Sequence, residues 1–315
     1  MGSSGTHTGL AMACCCAWGT LAQAQSPLVL QLRPDVYMIT VSGANTVVQT
    51  GPEGTVVVGV GPARDAEALV AAIRTVATTP IHFVIATSAE EAVAGGTGIV
   101  ARAGESLLNN STQKSATIVA RAEVVPALLA SAGKAGPDWF PNDAFGRSQY
   151  NFWLNGQGIA VMWQPAAHSD GDVAVRFWRS DVVVAGAIFD LTRFPVIDTA
   201  HGGTIDGEID AINRLLNSQV ISPVPLVTSE GGSIVVPIRG PAADQWDLLT
   251  YRDVLQDVRR RVQEQIGQRR TLEQVLQSDV VSGYARRYGA DSGDWTTREF
   301  VTAVYFGLGG GKKRR

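Results

Sequence analysis

The chain has 315 residues, with 26 Lys and Arg against 29 Asp and Glu, a net charge of −3 and only 17% charged residues. That length buries a substantial core in one large or two smaller domains. The charge balance gives no basic surface of the kind that nucleic acid requires. Three cysteines stand together at Cys14, Cys15 and Cys16 and none follows, so neither a spaced thiolate zinc set nor a disulfide across the fold is available.

The apolar stretch from Leu10 to Leu21, followed by Ala22-Gln23-Ala24, reads as an export signal over residues 1–24. The expected location is therefore periplasmic or extracellular, although the run before Leu10 carries no Lys or Arg and a cytoplasmic leader stays open. No apolar run is long enough to span a bilayer.

Strands are predicted at Val36–Val41, Asn45–Gln49 and Thr55–Val60, separated by Gly- or Pro-bearing turns. Ala66, Leu69, Val70 and Ile73 fall at helical spacing between Asp65 and Val76, and a strand follows at Ile81–Ala86. Beyond it lie a strand at Ala116–Ala120, a short helix over Ala122–Ala132 and a turn-rich link at Gly136–Pro141. A second β-rich series covers Gln149–Leu154, Gly158–Gln164, Val173–Trp178 and Val182–Gly186. The helix Ile205–Leu216 and a last strand Ser233–Pro237 complete it. Past Gly240 the pattern is helical, at Trp246–Gln265, from Thr271, and at Thr297–Phe306, with Arg259-Arg260-Arg261 on a wet face. Two β-rich halves carrying helices predict two packed sheets covered by helices.

Five segments occur in the order found in one family. They are Gly59-Val60-Gly61-Pro62-Ala63, Pro80 to Thr87, Ala167-His168-Ser169-Asp170-Gly171-Asp172, Ser180 to Phe189, and Val236-Pro237-Ile238-Arg239-Gly240. Together they resemble the metallo-β-lactamase superfamily across roughly Leu32 to Gly240. The resemblance implies an α/β protein with a four-layer αββα sandwich. With the export signal (1–24), it divides the chain into the sandwich domain (25–240), a helical extension packed on it (241–308) and a flexible basic tail (309–315).

The same resemblance implies zinc, but the residues at the family's ligand positions are Ser88, Glu90, Ala92, Val93, His168, Ala187 and Arg239. Only His168 keeps a ligand type typical of the family's zinc set. Alanine and valine cannot coordinate, and a guanidinium opposes a cation by Coulomb repulsion. Glu90 and Arg239 are expected to face each other across the former metal cavity, joined by His168 or Asp190.

The expected protein is a metal-free pseudoenzyme acting as a secreted binding or accessory protein, with a small molecule or another protein as partner. The alternative is a hydrolase with an atypical metal set from His168, Glu90, Glu91 and Asp190, since hard cations accept oxygen ligands. Three further features remain open between function and structure. His201 before Gly202-Gly203 is a pocket residue or a helix-entry turn. Ser88 or Ser169 beside His168 and an aspartate is a nucleophilic arrangement or a hydrogen-bonded loop. Trp139, Phe140, Phe145, Tyr150, Phe152 and Trp153 form a lid or a satellite core.

Overall fold

The computed structural model describes residues 26–107, 114–131, 143–219 and 232–311, with Gly2 in isolation. The expected signal, the Gly136–Pro141 link with Trp139 and Phe140, and the last four residues of the tail lie outside the described residues.

The first sheet has seven strands in chain order: β1 (Leu28–Arg33), β2 (Val36–Val41), β3 (Ala44–Gly51), β4 (Gly54–Val58), β5 (Ile81–Ile85), β6 (Thr117–Arg121) and β7 (Asp143–Phe145). β1 to β4 form an antiparallel meander, and β4 to β7 run parallel. The second sheet follows the order β12-β11-β10-β9-β8, from β8 (Gln149–Leu154), β9 (Gln157–Trp163), β10 (Val173–Phe177), β11 (Val182–Asp190) and β12 (Ile234–Arg239). Its strands are antiparallel except for the last pair, β11 and β12.

Alternation along the strands sorts side chains into layers. Val47, Val56, Val58 and Ile85 meet Ile159, Val161, Val175 and Val184 between the sheets. Outside the first sheet, Ile39, Val48, Val57 and Val84 pack under α1 (Ala66–Val76) and a short helix at Thr97–Arg102. Outside the second, Ala160, Met162, Val183 and Ala185 lie beneath α5 (Ile205–Arg214), α6 (Gln245–Gly267) and α9 (Thr297–Gly307). This is the αββα sandwich the sequence predicted. The helices beyond Gly240 share a continuous core with α5, in which Phe194 stacks on Phe300 at 4.5 Å.

Strong caps begin three helices beyond Gly240: α6, a short one at Leu272–Gln277, and α9. Asp244 with Asp247, Thr271 with Gln274, and Thr296 with Glu299 each form reciprocal capping boxes. The arginine run does lie on the polar face of α6, where Arg259 pairs with Asp206 and Arg260 with Asp257 and Glu264.

Several elements differ from expectation. β1 and β7 were not foreseen, because Leu28, Val29 and Leu30 are exposed and β7 has only three residues. β11 runs nine residues rather than five and is buried throughout. Of the aromatic group, Phe145, Tyr150 and Phe152 belong to the core between the sheets, while Trp153 is 76% exposed. Among the described residues, no helix is long and apolar enough to cross a membrane.

Candidate functional site

The loops at one end of the sandwich bring the site together. Strand β5 ends at Ile85, and the chain then crosses to the second sheet, where Val173 N–H donates to Thr87 O at 3.0 Å. Gly186 lies opposite at a φ of +58°, and a Cβ there would stand 3.0 Å from that of Thr87. The left-handed backbone and the close approach together require glycine. Ser88 follows, fully buried, and Glu90 stands just before a short helix, α2 (Glu91–Ala94).

The facing loop, Ala166 to Asp172, is fixed from several sides. Ala166 O accepts from Thr204 N–H, His168 O accepts from Asp198 N–H at 2.8 Å, and Asp170 O accepts from the Trp163 indole at 2.7 Å. Helix α5 closes on this loop so tightly that a Cβ at Gly207 would lie 1.8 Å from Ala166 O.

His168 is the centre of the site, 1% exposed. Its Nδ1 lies 3.2 Å from Asp172 Oδ1 and 3.5 Å from Ser88 Oγ. Nε2 lies 3.0 Å from Glu90 Oε2, a charge contact whose angle falls short of a formal hydrogen bond. Asp172, fully buried, also accepts from the backbone and hydroxyl of Ser169.

Burial alone would push the His168 imidazolium down. Asp172 and then Glu90 outweigh it and hold its pKa well above the ordinary histidine value. Contact with His168 keeps the Glu90 carboxyl below the usual range against the opposing effect of burial, and Arg239 and Arg193 add to that. The ring thus lies between Asp172 and Glu90, both of which favour its charged form.

A serine relay needs the hydroxyl and the carboxylate on opposite nitrogens of the ring. Ser88 shares Nδ1 with Asp172 at a long 3.5 Å and is fully buried, so its hydroxyl is not presented to a substrate even with Glu90 on Nε2. Ser169 is spent on Asp172. The nucleophilic option does not survive this geometry.

The expected Glu90–Arg239 ion pair is replaced by two separate pairs. Glu90 takes His168, and Arg239 Nη1 takes Asp190 Oδ2 at 3.3 Å. The reason is the pairing of β11 and β12, which makes Asp190 and Arg239 direct neighbours in register. Arg193 Nε approaches the same Asp190 oxygen at 3.4 Å. Glu91 turns away to accept from Ala63 N–H at 3.2 Å. His201 is at the surface, 2.5 Å from Asp198, in the turn that precedes α5. Val93 and Ala187 join Ile238 in a small buried apolar cluster, and Ala92 sits beside Val93 in α2.

Two residues were missed, Glu208 and Arg193. Glu208 projects from α5 into the interior and is fully buried, with neither carboxyl oxygen hydrogen-bonded among the described residues. Burial and then Asp172 push its pKa well up, while His168 opposes them. The signal was available, because Glu208 falls on the same helical stripe as Ile205, Ile209 and Ile212. Arg193 carried no comparable signal.

The zinc that the resemblance implied does not fit this donor set. Both ring nitrogens of His168 already face carboxylates, Val93 and Ala187 belong to an apolar cluster, and a guanidinium stands at Arg239. Among the described residues no group of three or more His, Cys, Asp or Glu is arranged to hold a metal.

No protein-family model matches the sequence, and no curated protein matches it. Solved structures do resemble it. A metallo-β-lactamase from Pontibacter korlensis is 22% identical, with 73% of this chain and 99% of that one aligned at a TM-score of 0.56. The stereoselective inverting sec-alkylsulfatase Pisa1 from Pseudomonas sp. is 13% identical at a TM-score of 0.64, covering 90% of this chain. This chain spans 50% of the alkylsulfatase. The DIM-1 metallo-β-lactamase is 17% identical, with 74% of this chain and 98% of that one aligned at a TM-score of 0.53. The chain therefore has the metallo-β-lactamase fold.

Proposed function

We propose that this chain is a metal-free protein of the metallo-β-lactamase fold that binds a ligand or partner instead of hydrolysing a substrate. The observation that carries this reading is the Glu90–His168–Asp172 unit, in which the one remaining imidazole is locked between two carboxylates. A ligand histidine must offer a neutral nitrogen lone pair. His168 instead has Nδ1 against Asp172 and Nε2 against Glu90. Fold alone does not carry an activity, and the groups at the site decide it.

The reading includes export by the 1–24 leader, with residues 25–240 as the sandwich domain and 241–308 as its helical extension. An accessory role outside the cytoplasm follows from these. The atypical hydrolase has less support, because Glu91 and Asp190 are committed to Ala63 and to the two arginines.

Elemental mass spectrometry of the purified chain, after exposure to excess Zn²⁺ and Mn²⁺ and desalting, tests the proposal. Retention below about a tenth of an equivalent is the expected result, on the scale of stray binding. One equivalent of tightly held metal would overturn it.

A further inference from the structure

We infer that Trp153 and Trp178, with the amides of Gln149 and Asn151, form a binding platform for an extended β-linked saccharide on the outer face of the second sheet. The platform lies at the start of β9, whereas the loop that carries His168 follows the end of that strand, about 17 Å further on. It is a second site, and it stands whether or not the cleft around His168 takes a metal.

Gly158 is the register partner of Trp153, and its carbonyl accepts from Trp178 N–H at 3.0 Å. Three neighbouring strand positions thus set two indoles on either side of one glycine. Both rings lean over it. A Cβ at Gly158 would stand 3.2 Å from Trp178 Cδ1 and 3.6 Å from Trp153 Cε2 and Cζ2. Alternation puts Gly158 on the same face as Ala160 and Met162, which lie beneath the helices. Over Gly158 the cover is aromatic instead, and it faces water, with Trp153 76% and Trp178 50% exposed. Two adjacent exposed indoles make a patch, unlike the scattered single apolar side chains of an ordinary surface.

The frame beneath the rings is fixed. The Arg176 guanidinium lies 4.3 Å from the centre of the Trp178 ring, and Arg176, almost fully buried, pairs with Asp181 at 2.9 Å. The turn after Trp153 places Asn155 and Gly156 at φ of +54° and +68°, as a tight two-residue hairpin demands. Asn155 fastens that turn to the first sheet, donating to Gln49 Oε1 at 3.0 Å and Gly54 O at 2.9 Å. Rings carried on such a frame lose little freedom when a ligand arrives.

The chemistry of the patch selects a sugar. The C–H bonds on a pyranose face carry partial positive charge and suit the negative face of an indole. Neither indole N–H has a hydrogen-bond partner among the described residues, so both are open to hydroxyl oxygens. Along β8, Gln149 and Asn151 share the face of Trp153 and are exposed, with Gln149 Nε2 donating to Asn151 Oδ1 at 2.7 Å. The row from Trp153 to Gln149 runs about 14 Å, room for more than one pyranose ring. Arg179, which crosses the turn, is paired with Asp35 at 2.8 Å, which favours a neutral ligand. A β-linked chain is a flat ribbon with C–H faces and hydroxyl edges, as this row of indole and amides requires. A bilayer contact would call for a broader apolar face with a basic rim, and the neighbours here are amides.

The test titrates the full chain with cellohexaose, chitohexaose and maltohexaose by calorimetry, with the indole N–H resonances followed by ¹⁵N NMR. Cellohexaose or chitohexaose is expected to bind saturably and to move the Trp153 and Trp178 signals. The tighter of the two shows whether the acetamido group is read. Trp153 stands mostly in solvent, so its replacement leaves the core intact. Trp153→Ala is expected to weaken binding about tenfold, and Trp153→Phe to keep part of it. Trp246→Ala removes another well-exposed indole, at the start of α6, and is expected to change nothing.

Four results would overturn the inference: no saturable binding of either β-linked chain, equal binding of the coiled α-linked maltohexaose, full binding by Trp153→Ala, or shifts confined to other residues. Phosphatidylcholine vesicles are run alongside. Adsorption that needs Trp153, with no saccharide bound, would assign the patch to a membrane and sink the proposal. Metal content, read on the same sample, decides the reading of the His168 cleft and has no bearing on these titrations.

Discussion

Asp190 and Arg239 are register partners at the ends of parallel strands β11 and β12, so strand pairing itself sets their 3.3 Å contact. The sheet delivers a carboxylate and a guanidinium to the same rim, and the side chains have little to search. Holding that rim together depends on the neighbouring sheet, through the two bonds from Asn45 to the carbonyls of Pro237 and Gly240.

Replacing Asn45 with alanine removes both donors and leaves two partly enclosed carbonyls without them. A loss of about 2 kcal/mol is expected, since orphaned buried acceptors cost about 1–3 kcal/mol each and some water reaches this edge. Urea denaturation at pH 7 measures it, and an unchanged midpoint would show that the clamp carries no weight.

His168 and Glu90 give opposite pH dependences. The raised His168 value means its contribution is fully present below the unfolded histidine pKa near ~6.5 and fades as pH rises through the folded value above it. The lowered Glu90 value means its contribution is present above the ordinary carboxylate range and is lost as pH falls through the folded value below. Stability from this unit is therefore greatest between about pH 4.5 and 6.5. His168→Gln should cost about 3 kcal/mol, because it leaves buried Asp172 without its cation, and should flatten the profile above that window. A variant with an unaltered pH profile would remove the imidazolium from the account.

Glu208 behaves differently. Its folded pKa is raised by burial and by Asp172, so its contribution is complete at low pH and is lost as pH rises through the folded value. Glu208→Gln keeps the shape and cannot ionise. It is expected to match the parent chain within about 1 kcal/mol at pH 5 and to exceed it at the alkaline end. Denaturation curves at several pH values read this directly, and parallel profiles for the two proteins would contradict it.

Gly207→Ala probes the contact between α5 and the loop that carries His168. An added methyl would start 1.8 Å from Ala166 O, so the helix or the loop must move. Overpacking of this kind costs about 3 kcal/mol or more, even though alanine is the better helix former. Stability equal to the parent, or a gain, would mean that this approach is looser than the geometry shows.

The strands and helices with clear periodicity were legible in the sequence, from Val36–Val41 through the capped helix after Asp244. β1 was not, because an edge strand with exposed Leu28 to Leu30 lacks an alternating pattern. Ser88, Glu90, Ala92 and Val93 were singled out by resemblance to a loop of known shape, and the structure sets them between β5 and the end of α2. The pairing at the site was not legible. Whether Glu90 meets Arg239 or His168 depends on strand register and on the depth of each loop, and neither is written in local sequence. Glu208 lay in plain view on a buried helical stripe, where its charge was the anomaly.

The cluster of Val93, Ala187 and Ile238 sets the terms on which this cleft accepts change. A histidine placed at Val93 alone would thrust a polar ring among hydrocarbon. An aspartate placed at Ala187 alone would have no cation other than the arginines already held by Asp190. Each single step toward a metal is uphill until the others are in place. An engineer adding a zinc set to this cleft would therefore have to install its ligands together.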